Sequence, residues 1–232
     1  MAVPTIPYAA SANGGANQVT TLTVPTANTF TELALAALCA RGAISAPVAT
    51  IGGSAMTLVE LWNPGTPSLA MALFRYVVPG SLVNPSVVFT WTGAQRAVGL
   101  VAEINSVDEL GAGAGMSDVG KSWNTNDATA EAPTVSPSAS QRWVNVITNI
   151  ANDGSVCTVD PDFTQHAQDV STNGTGANNV RGTLASRVGT GAALSDVHTF
   201  SATSDGWTLY AFRLSDAAAV GAARKRNTLM IG

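Results

Sequence analysis

The chain has 232 residues, enough to bury a substantial core as one large all-β domain or as two small ones. Charged residues make up only 11% of it, against about 25% in an average soluble protein, and the formal net charge is −4. Such a chain has no broad basic surface for a phosphate backbone, so nucleic-acid binding is disfavoured. Because soluble monomers normally keep a more charged surface, this composition predicts a homo-oligomer or a subunit of a large complex.

The beginning of the chain is rich in Pro, Ala, Ser, Asn and Gly and predicts an irregular N-terminal arm over residues 1–18. It has neither the basic nor the apolar region of a secretory signal, and no apolar run in the chain is long enough to span a membrane. We therefore expect a protein that is made in a cytoplasm and has no membrane partner.

Residues 19–104 predict a first set of short β-strands separated by Gly, Pro and Asn clusters. Alternating apolar and polar residues from Met56 to Trp62, and β-branched and aromatic residues from Val87 to Trp91, are typical of strands in a sandwich or barrel. The predicted strands are Val19–Val24, Glu32–Ala40, Met56–Trp62, Leu69–Val78, Ser86–Trp91 and Arg96–Ile104.

Residues 105–131, with a Gly-Ala-Gly-Ala-Gly run, predict a linker loop, and residues 132–215 predict a second strand set. Residues 216–232 form a predicted C-terminal tail with a basic cluster followed by apolar residues. The predicted strands of the second set are Ala132–Val135, Arg142–Ile150, Phe163–Ala167, Arg181–Val188, Asp196–Ser201 and Trp207–Leu214.

Three landmarks repeat between the two strand sets at almost one offset. Leu33 and Val144 lie 111 residues apart (144 − 33), Phe89 and Phe200 also 111 (200 − 89), and Arg75 and Arg187 lie 112 apart (187 − 75). A repeat of this kind indicates a duplicated β unit. The sequence therefore predicts an all-β fold, an antiparallel, jelly-roll-like β-sandwich built from two duplicated strand sets.

The residues that could perform catalysis do not form a recognisable pattern, and we predict no catalytic residue and no cofactor. His166 and His198 each lie in a predicted strand without a nucleophile beside them, which favours structural roles. Glu60 and Glu103 have no acidic counterparts in the second set, which disfavours the carboxylate pair of a glycosidase. No phosphate-binding or dinucleotide-binding glycine motif is present.

Metal binding and disulfide formation are also disfavoured. Asp160 and Asp162 flank a proline in a turn, and turn chemistry explains them better than a calcium site, which needs 6 to 8 ligands. Cys39 and Cys157 could form a bridge only if the two halves face each other closely, and small buried hydrophobic side chains are the favoured interpretation. We predict no metal ligand.

The five tryptophans and two of the arginines suggest packing more than chemistry. Four tryptophans lie in predicted strands, where core packing is expected, whereas Trp123 lies in the predicted linker and is the aromatic residue to test for ligand contact. Arg75 and Arg187 are expected at corresponding strand positions with paired structural roles, such as bridging to a neighbouring carboxylate.

The order of these segments resembles that of a group of bacteriophage virion proteins built as Ala/Thr/Gly-rich β-sandwich repeats. The outline of that group is a Pro-led strand, an apolar strand ending in Arg-Gly or a polar equivalent, a Trp-Thr-Leu type strand, an Arg-Tyr-Val type strand and a Phe-Thr-Trp-Thr-Gly strand with a Val/Ala-rich partner. In this chain the segments are Val24–Pro25, Leu33–Gly42, Met56–Leu61, Phe74–Val77, Phe89–Gly93 and Ala97–Ile104.

The resemblance implies a virion protein made in the bacterial cytoplasm, with other virion proteins, above all the major capsid protein, as partners. Compact size and the absence of long fibrous repeats favour a non-enzymatic capsid decoration or cement protein. A tail or fibre component, and a carbohydrate- or receptor-binding module, remain alternatives. The expected partner contacts lie in the arm before Gln18 and in the tail, where they are Arg224, Lys225, Arg226, Leu229, Met230 and Ile231.

Overall fold

The computed structural model describes residues 3–107, 116–125, 128–131, 137–151, 156–171, 179–193, 196–201 and 206–215, with the side chains of residues 117–119 left aside. Within these ranges the chain forms antiparallel β-strands and no helix, so the predicted all-β class is confirmed. No helix with the length and apolarity of a membrane span occurs in this part of the chain. The predicted tail, with its partner-contact residues, and the predicted strand Ala132–Val135 lie outside the described residues.

The first half contains ten strands. They are β1 (Thr5–Asn13), β2 (Val19–Val24), β3 (Thr29–Phe30), β4 (Leu33–Arg41), β5 (Ser45–Ile51), β6 (Ser54–Ala55), β7 (Thr57–Trp62), β8 (Ala70–Val77), β9 (Leu82–Val83) and β10 (Val87–Asn105).

The second half contributes eight strands within the described ranges. They are β11 (Met116–Asn124), β12 (Thr129–Glu131), β13 (Arg142–Ile150), β14 (Cys157–Thr158), β15 (Thr164–Val170), β16 (Val180–Val188), β17 (Val197–Phe200) and β18 (Trp207–Leu214).

Strand β10 organises the first half because it takes part in two layers. Its later residues pair with β1 and β4 in the order β1-β10-β4-β8-β7, and its earlier residues pair with β2 and β5. The two layers meet where the register shifts after Thr90, next to Gly93, whose φ of 91° is a conformation that glycine adopts without strain. The prediction of two separate strands here was wrong, because the glycine bends the strand and does not end it.

The second half has the same strand order. Its main sheet runs β11-β18-β13-β16-β15, and a smaller sheet runs β12-β17-β14. By position in the sheets, β11 corresponds to β1, β13 to β4, β16 to β8, β15 to β7, and β17 with β18 to the two parts of β10. The two halves therefore share one topology.

Two predictions for the connecting segments were wrong. Thr5–Asn13, predicted as part of an irregular arm, forms β1 and pairs with β10 from Asn105 to Val98. Met116–Asn124, predicted as part of a linker loop, forms β11 and pairs with β18. Both segments have weak strand propensity, and the neighbouring strand supplies the hydrogen bonds that hold them extended.

Three apolar clusters fill the spaces between the sheets. The central cluster lies between the two main sheets and includes Leu35, Leu100, Val146 and Phe212. The first-half cluster packs the other face of β4, β8 and β10 against β2 and β5, and the second-half cluster packs β13, β16 and β18 against β12, β14 and β17. The two halves thus bury their main sheets against each other.

The main sheets face each other with their strand orders reversed. Asn13 on β1 donates a hydrogen bond to Asp169 on β15, with Nδ2 2.9 Å from Oδ1. At the opposite edge, Lys121 on β11 forms an ion pair with Glu60 on β7, with Nζ 3.0 Å from Oε1. Since β15 corresponds to β7 and β11 to β1, an approximate two-fold relation connects the halves.

Candidate functional site

His198 lies in a fully buried polar cluster of the second half. Its Nε2 is 2.8 Å from Oδ2 of Asp196, and its Nδ1 accepts a hydrogen bond of 3.1 Å from the backbone N–H of Asp160. Nδ1 is therefore the acceptor, which places the ring proton on Nε2, facing the carboxylate. Asn145 donates a further hydrogen bond to the same carboxylate oxygen. The imidazole is shielded from solvent and both ring nitrogens are occupied, so the geometry suits a structural role.

His166 is bonded to a serine and lies close to an arginine. Its Nε2 is 2.7 Å from Oγ of Ser186, which also accepts a hydrogen bond of 2.9 Å from Arg142. Burial, and then the charge of Arg142, lower the pKa of His166 from 6.5 to about 4. The imidazole is therefore neutral at pH 7, and the Ser186 hydroxyl, which has one donor and two acceptor sites, contacts both His166 and Arg142.

The candidate carboxylates do not converge. Glu60 faces the second-half sheet and pairs with Lys121, whereas the buried Glu103 accepts hydrogen bonds from Asn28 and Thr31 on the other face of the first-half sheet. Two carboxylates on opposite faces of one sheet cannot flank a single glycosidic bond.

The acids around Pro161 have partners in their own turn and on strands β16 and β17. Asp160 Oδ1 accepts the backbone N–H of Asp162 at 2.9 Å, and its Oδ2 accepts that of Val197 at 3.3 Å. Asp162 forms an ion pair with Arg187 at 3.0 Å. In the described ranges, no group of three or more acidic, His or Cys side chains is arranged to hold a metal ion.

Arg75 and Arg187 do not occupy corresponding positions, and that prediction was wrong. Arg75 pairs with Leu35 and lies two residues after Leu73, so it is on the same face of the sheet as these two members of the central cluster. Arg187 pairs with Trp143 of the second-half cluster and lies over Phe163, with its Cζ 5.6 Å from the ring centroid. The offset of 112 in place of 111 moves the arginine to the other face of its strand.

The cysteines are free and buried, as the favoured interpretation predicted. The two halves do face each other, but Cys39 belongs to the central cluster and Cys157 to the second-half cluster. Burial raises the pKa of each thiol to about 12, with hydrogen bonds to Thr148 and Thr183 partly opposing the shift. Neither thiol is a nucleophile at neutral pH.

Three of the tryptophans, Trp91, Trp143 and Trp207, are buried, which confirms the predicted packing role for them. Trp123 differs, since it lies on the edge strand β11 and keeps 50% of its surface exposed. Trp62 is partly exposed at the end of β7, and it points to the second-half sheet because the preceding Leu61 packs in the first-half cluster.

These two tryptophans lie on neighbouring strands. Glu60 and Lys121 join β7 to β11, and Trp62 and Trp123 each lie two residues further along their strands, on the same face as the ion pair. Leu58 and Val59, also on β7, are 41% and 37% exposed. The register shifts between Leu58 and Glu60, so Leu58, which pairs with Phe74, lies on the other face of the sheet from Trp62. We call the exposed side chains of these two edge strands, Leu58, Val59, Trp62 and Trp123, the β7–β11 edge.

The sequence missed two features of this site. It placed Trp123 in a loop, so the β7–β11 edge could not be predicted, although Lys121 and Trp123 do show the alternation of a strand. It also overlooked Asn145, a polar residue in the apolar strand β13, and such a residue signals a buried partner.

Compared with models of known families and with curated proteins, the chain matches none.

Proposed function

We propose that this chain is a non-enzymatic structural protein of a bacteriophage virion, a capsid decoration protein that stabilises the head through contacts between subunits. The proposal rests on the β7–β11 edge. Strand β7 is the last strand of its sheet in the described part of the chain, and it presents Leu58 and Val59 to solvent. An edge strand with exposed apolar side chains is a ready surface for another protein.

The energetics favour association at such a surface. Standard protein interfaces bury about 1,600 Å² in total, and large aromatic side chains contribute much of the binding energy. Trp62 and Trp123 are side chains of this kind, and the nearby charges of Glu60 and Lys121 already neutralise each other. Covering this edge therefore leaves neither Glu60 nor Lys121 without a partner.

The placement of the titratable groups supports a non-enzymatic role. His198 and Asp196 are buried against each other, and His166 is bonded to Ser186. Glu60 and Glu103 lie on opposite faces of their sheet. The groups that could transfer protons are thus engaged in holding the protein together.

The proposal includes a finer description of the fold, in which each half is a jelly-roll-like β-sandwich and the two halves are copies of one unit. The shared strand order and the separate apolar cluster inside each half support it. The tail residues from Arg224 to Ile231 stay a second proposed contact with the capsid protein.

The test compares two variants that each place a charge on an exposed apolar position. Leu58→Glu changes the β7–β11 edge, whereas Val83→Glu changes β9, where Val83 is 70% exposed. Light scattering should show that the wild type and Val83→Glu form oligomers of the same mass, a multiple of the 23.6 kDa chain mass. Leu58→Glu should form an oligomer of smaller mass. Sedimentation with undecorated heads of the encoding phage should show binding by the first two proteins and at least tenfold weaker binding by Leu58→Glu. Equal binding by both variants would contradict the role of the edge.

A second candidate function is a carbohydrate- or host-receptor-binding module on a tail or fibre, and Trp62 with Trp123 favours it. Sugar rings bind to exposed aromatic faces, and this pair lies on one surface. Titration with host surface glycans should then change the intrinsic tryptophan fluorescence, and Trp123→Ala should abolish the change. An unchanged spectrum together with head binding would select the decoration role.

A further inference from the structure

A polar cleft of about 430 Å³ opens on the first half, at the end of β4 that lies away from the β3–β9 pair. Its two charged side chains are Arg41, the last residue of β4, and Arg96 on β10. The cleft is lined by Gln18, Arg41, Gly42, Ala43, Ser68, Gln95 and Arg96. No carboxylate occurs among these lining residues, although the chain as a whole is acidic.

The two arginines are direct cross-strand neighbours. Arg96 pairs with Arg41 in the antiparallel register of β10 and β4. Like charges directly opposite each other destabilise a sheet, and a bound anion between them would reverse the sign of that interaction. Burial and the charge of Arg96 lower the pKa of Arg41, as expected where no counter-charge is present.

Both guanidinium groups are held in place by backbone carbonyls. Arg41 donates from an Nη atom to the carbonyl oxygen of Ser68 at 2.6 Å, and Arg96 donates from Nε to that of Ala16 at 3.2 Å. These bonds use one of the five N–H donors of each group. The Nε of Arg41 is buried and has no hydrogen-bond partner within the described residues. A buried donor of this kind destabilises the folded protein if it stays unpaired.

The turn after β4 shapes the wall of the cleft. Gly42 has a φ of 109°, and a Cβ at this position would lie 2.6 Å from the side-chain oxygen of Gln95. The absence of a side chain lets Gln95 lie against the backbone, where its amide is 3.4 Å from the carbonyl oxygen of Ala43. Because Gly42 has no side chain, the uncharged side-chain amide of Gln95 fits beside the two arginines.

We propose that this arginine cleft is a binding site for an oxyanion, either a carboxylate group of a neighbouring protein or a free phosphate. Guanidinium groups bind carboxylate and phosphate oxygens through paired, charge-assisted hydrogen bonds. Two such groups side by side, in a cleft with no acid among its lining residues, match that ligand chemistry. The site is independent of the β7–β11 edge and of the proposed virion role.

The test measures thermal unfolding at constant ionic strength while sodium phosphate, or in a parallel series sodium acetate, replaces sodium chloride. A ligand that binds only the folded state raises the melting temperature in a saturable way. We expect this for the wild type, and a half-saturating concentration at least tenfold higher for Arg41→Gln and for Arg96→Gln. Arg187→Gln removes the same charge far from the cleft and should respond like the wild type.

Calorimetric titration of folded Arg96→Gln with phosphate separates lost binding from lost stability, because it does not depend on the melting temperature. The two anion series distinguish the sources: a stronger response to acetate indicates a protein carboxylate, and a stronger response to phosphate indicates free phosphate. The proposal would be overturned if the wild type showed no response to either anion beyond chloride, or if Arg41→Gln and Arg96→Gln both responded like the wild type.

Discussion

The two halves share a strand order but fill their interiors differently. The first half is filled mainly by an apolar cluster that contains Phe74 and Phe89, their ring centroids 5.9 Å apart, and its buried polar side chains in the described residues are Thr26 and Glu103. The second half buries Asn145, Asp196 and His198 beside its aromatic residues. One topology therefore accommodates two kinds of interior, and they differ in how substitutions act on them.

An apolar interior is stabilised in proportion to the area it buries, and it tolerates small changes of shape. A buried polar cluster depends on each member, because removing one leaves the others without partners in a medium of low dielectric. We therefore expect shape to dominate the response of the first half and hydrogen bonding to dominate that of the second.

The largest effect is expected for Phe74→Ala in the first half. The side chain is fully buried, and its removal should lower the free energy of unfolding by about 4 kcal/mol through lost burial and a cavity. Urea denaturation measures the change. Val48→Ala, at a position that is 56% exposed, should change it by less than about 0.5 kcal/mol.

In the second half, Asp196→Ala should lower the free energy of unfolding by about 3 kcal/mol. The substitution removes few apolar contacts, but it takes the acceptor away from His198 and Asn145. Asp162→Ala is the control, since its exposed ion pair with Arg187 should contribute less than about 1 kcal/mol. Equal losses for the two aspartates in urea denaturation would contradict the dependence on a buried network.

The contact between the halves can be tested at Gly182 on β16. A Cβ there would lie 3.0 Å from Val98 and 3.1 Å from the sulfur of Cys39, both in the first half. Gly182→Ala should therefore cost about 1 to 2 kcal/mol through overpacking. Gly80→Ala has open space around it and should be neutral or slightly stabilising. If both variants unfold at the same urea concentration, the halves do not pack as described.

The last expected effect is on the pH dependence of stability and acts through His166. The pKa of His166 is lowered to about 4 in the folded state, so below pH 6.5 the unfolded chain takes up a proton that the folded protein does not. Stability from this group is present above pH 6.5 and is lost as the pH falls towards 4. The urea midpoint of His166→Gln should therefore decline less steeply over this interval than that of the wild type. The carboxylates titrate in both proteins and do not contribute to the difference.

Much of the strand pattern could be predicted, because alternation and β-branched residues mark buried strands. The bounds of Val19–Val24, Arg142–Ile150 and Trp207–Leu214 agree with the structure. The edge strands β1 and β11 could not be found, since their residues have weak propensity and a neighbouring strand keeps them extended. Strand β5 was also missed, although it contains Val48 and Ile51, and it has Pro47 within it, a residue that disfavours a strand prediction.

The site residues were harder to predict because they depend on register between distant strands. Nothing local places Arg41 opposite Arg96, or Glu60 beside Lys121. The case of Arg187 shows how sensitive this is, because an offset of one residue moves a side chain to the other face of a sheet.

The most direct test of the decoration role is the stoichiometry of the protein on undecorated heads of the encoding phage, measured by sedimentation over a range of protein concentrations. If the protein decorates the head, binding should saturate at a fixed number of copies per capsid subunit. A chain that stays in the supernatant at every concentration, or that accumulates on heads without saturating, would contradict it.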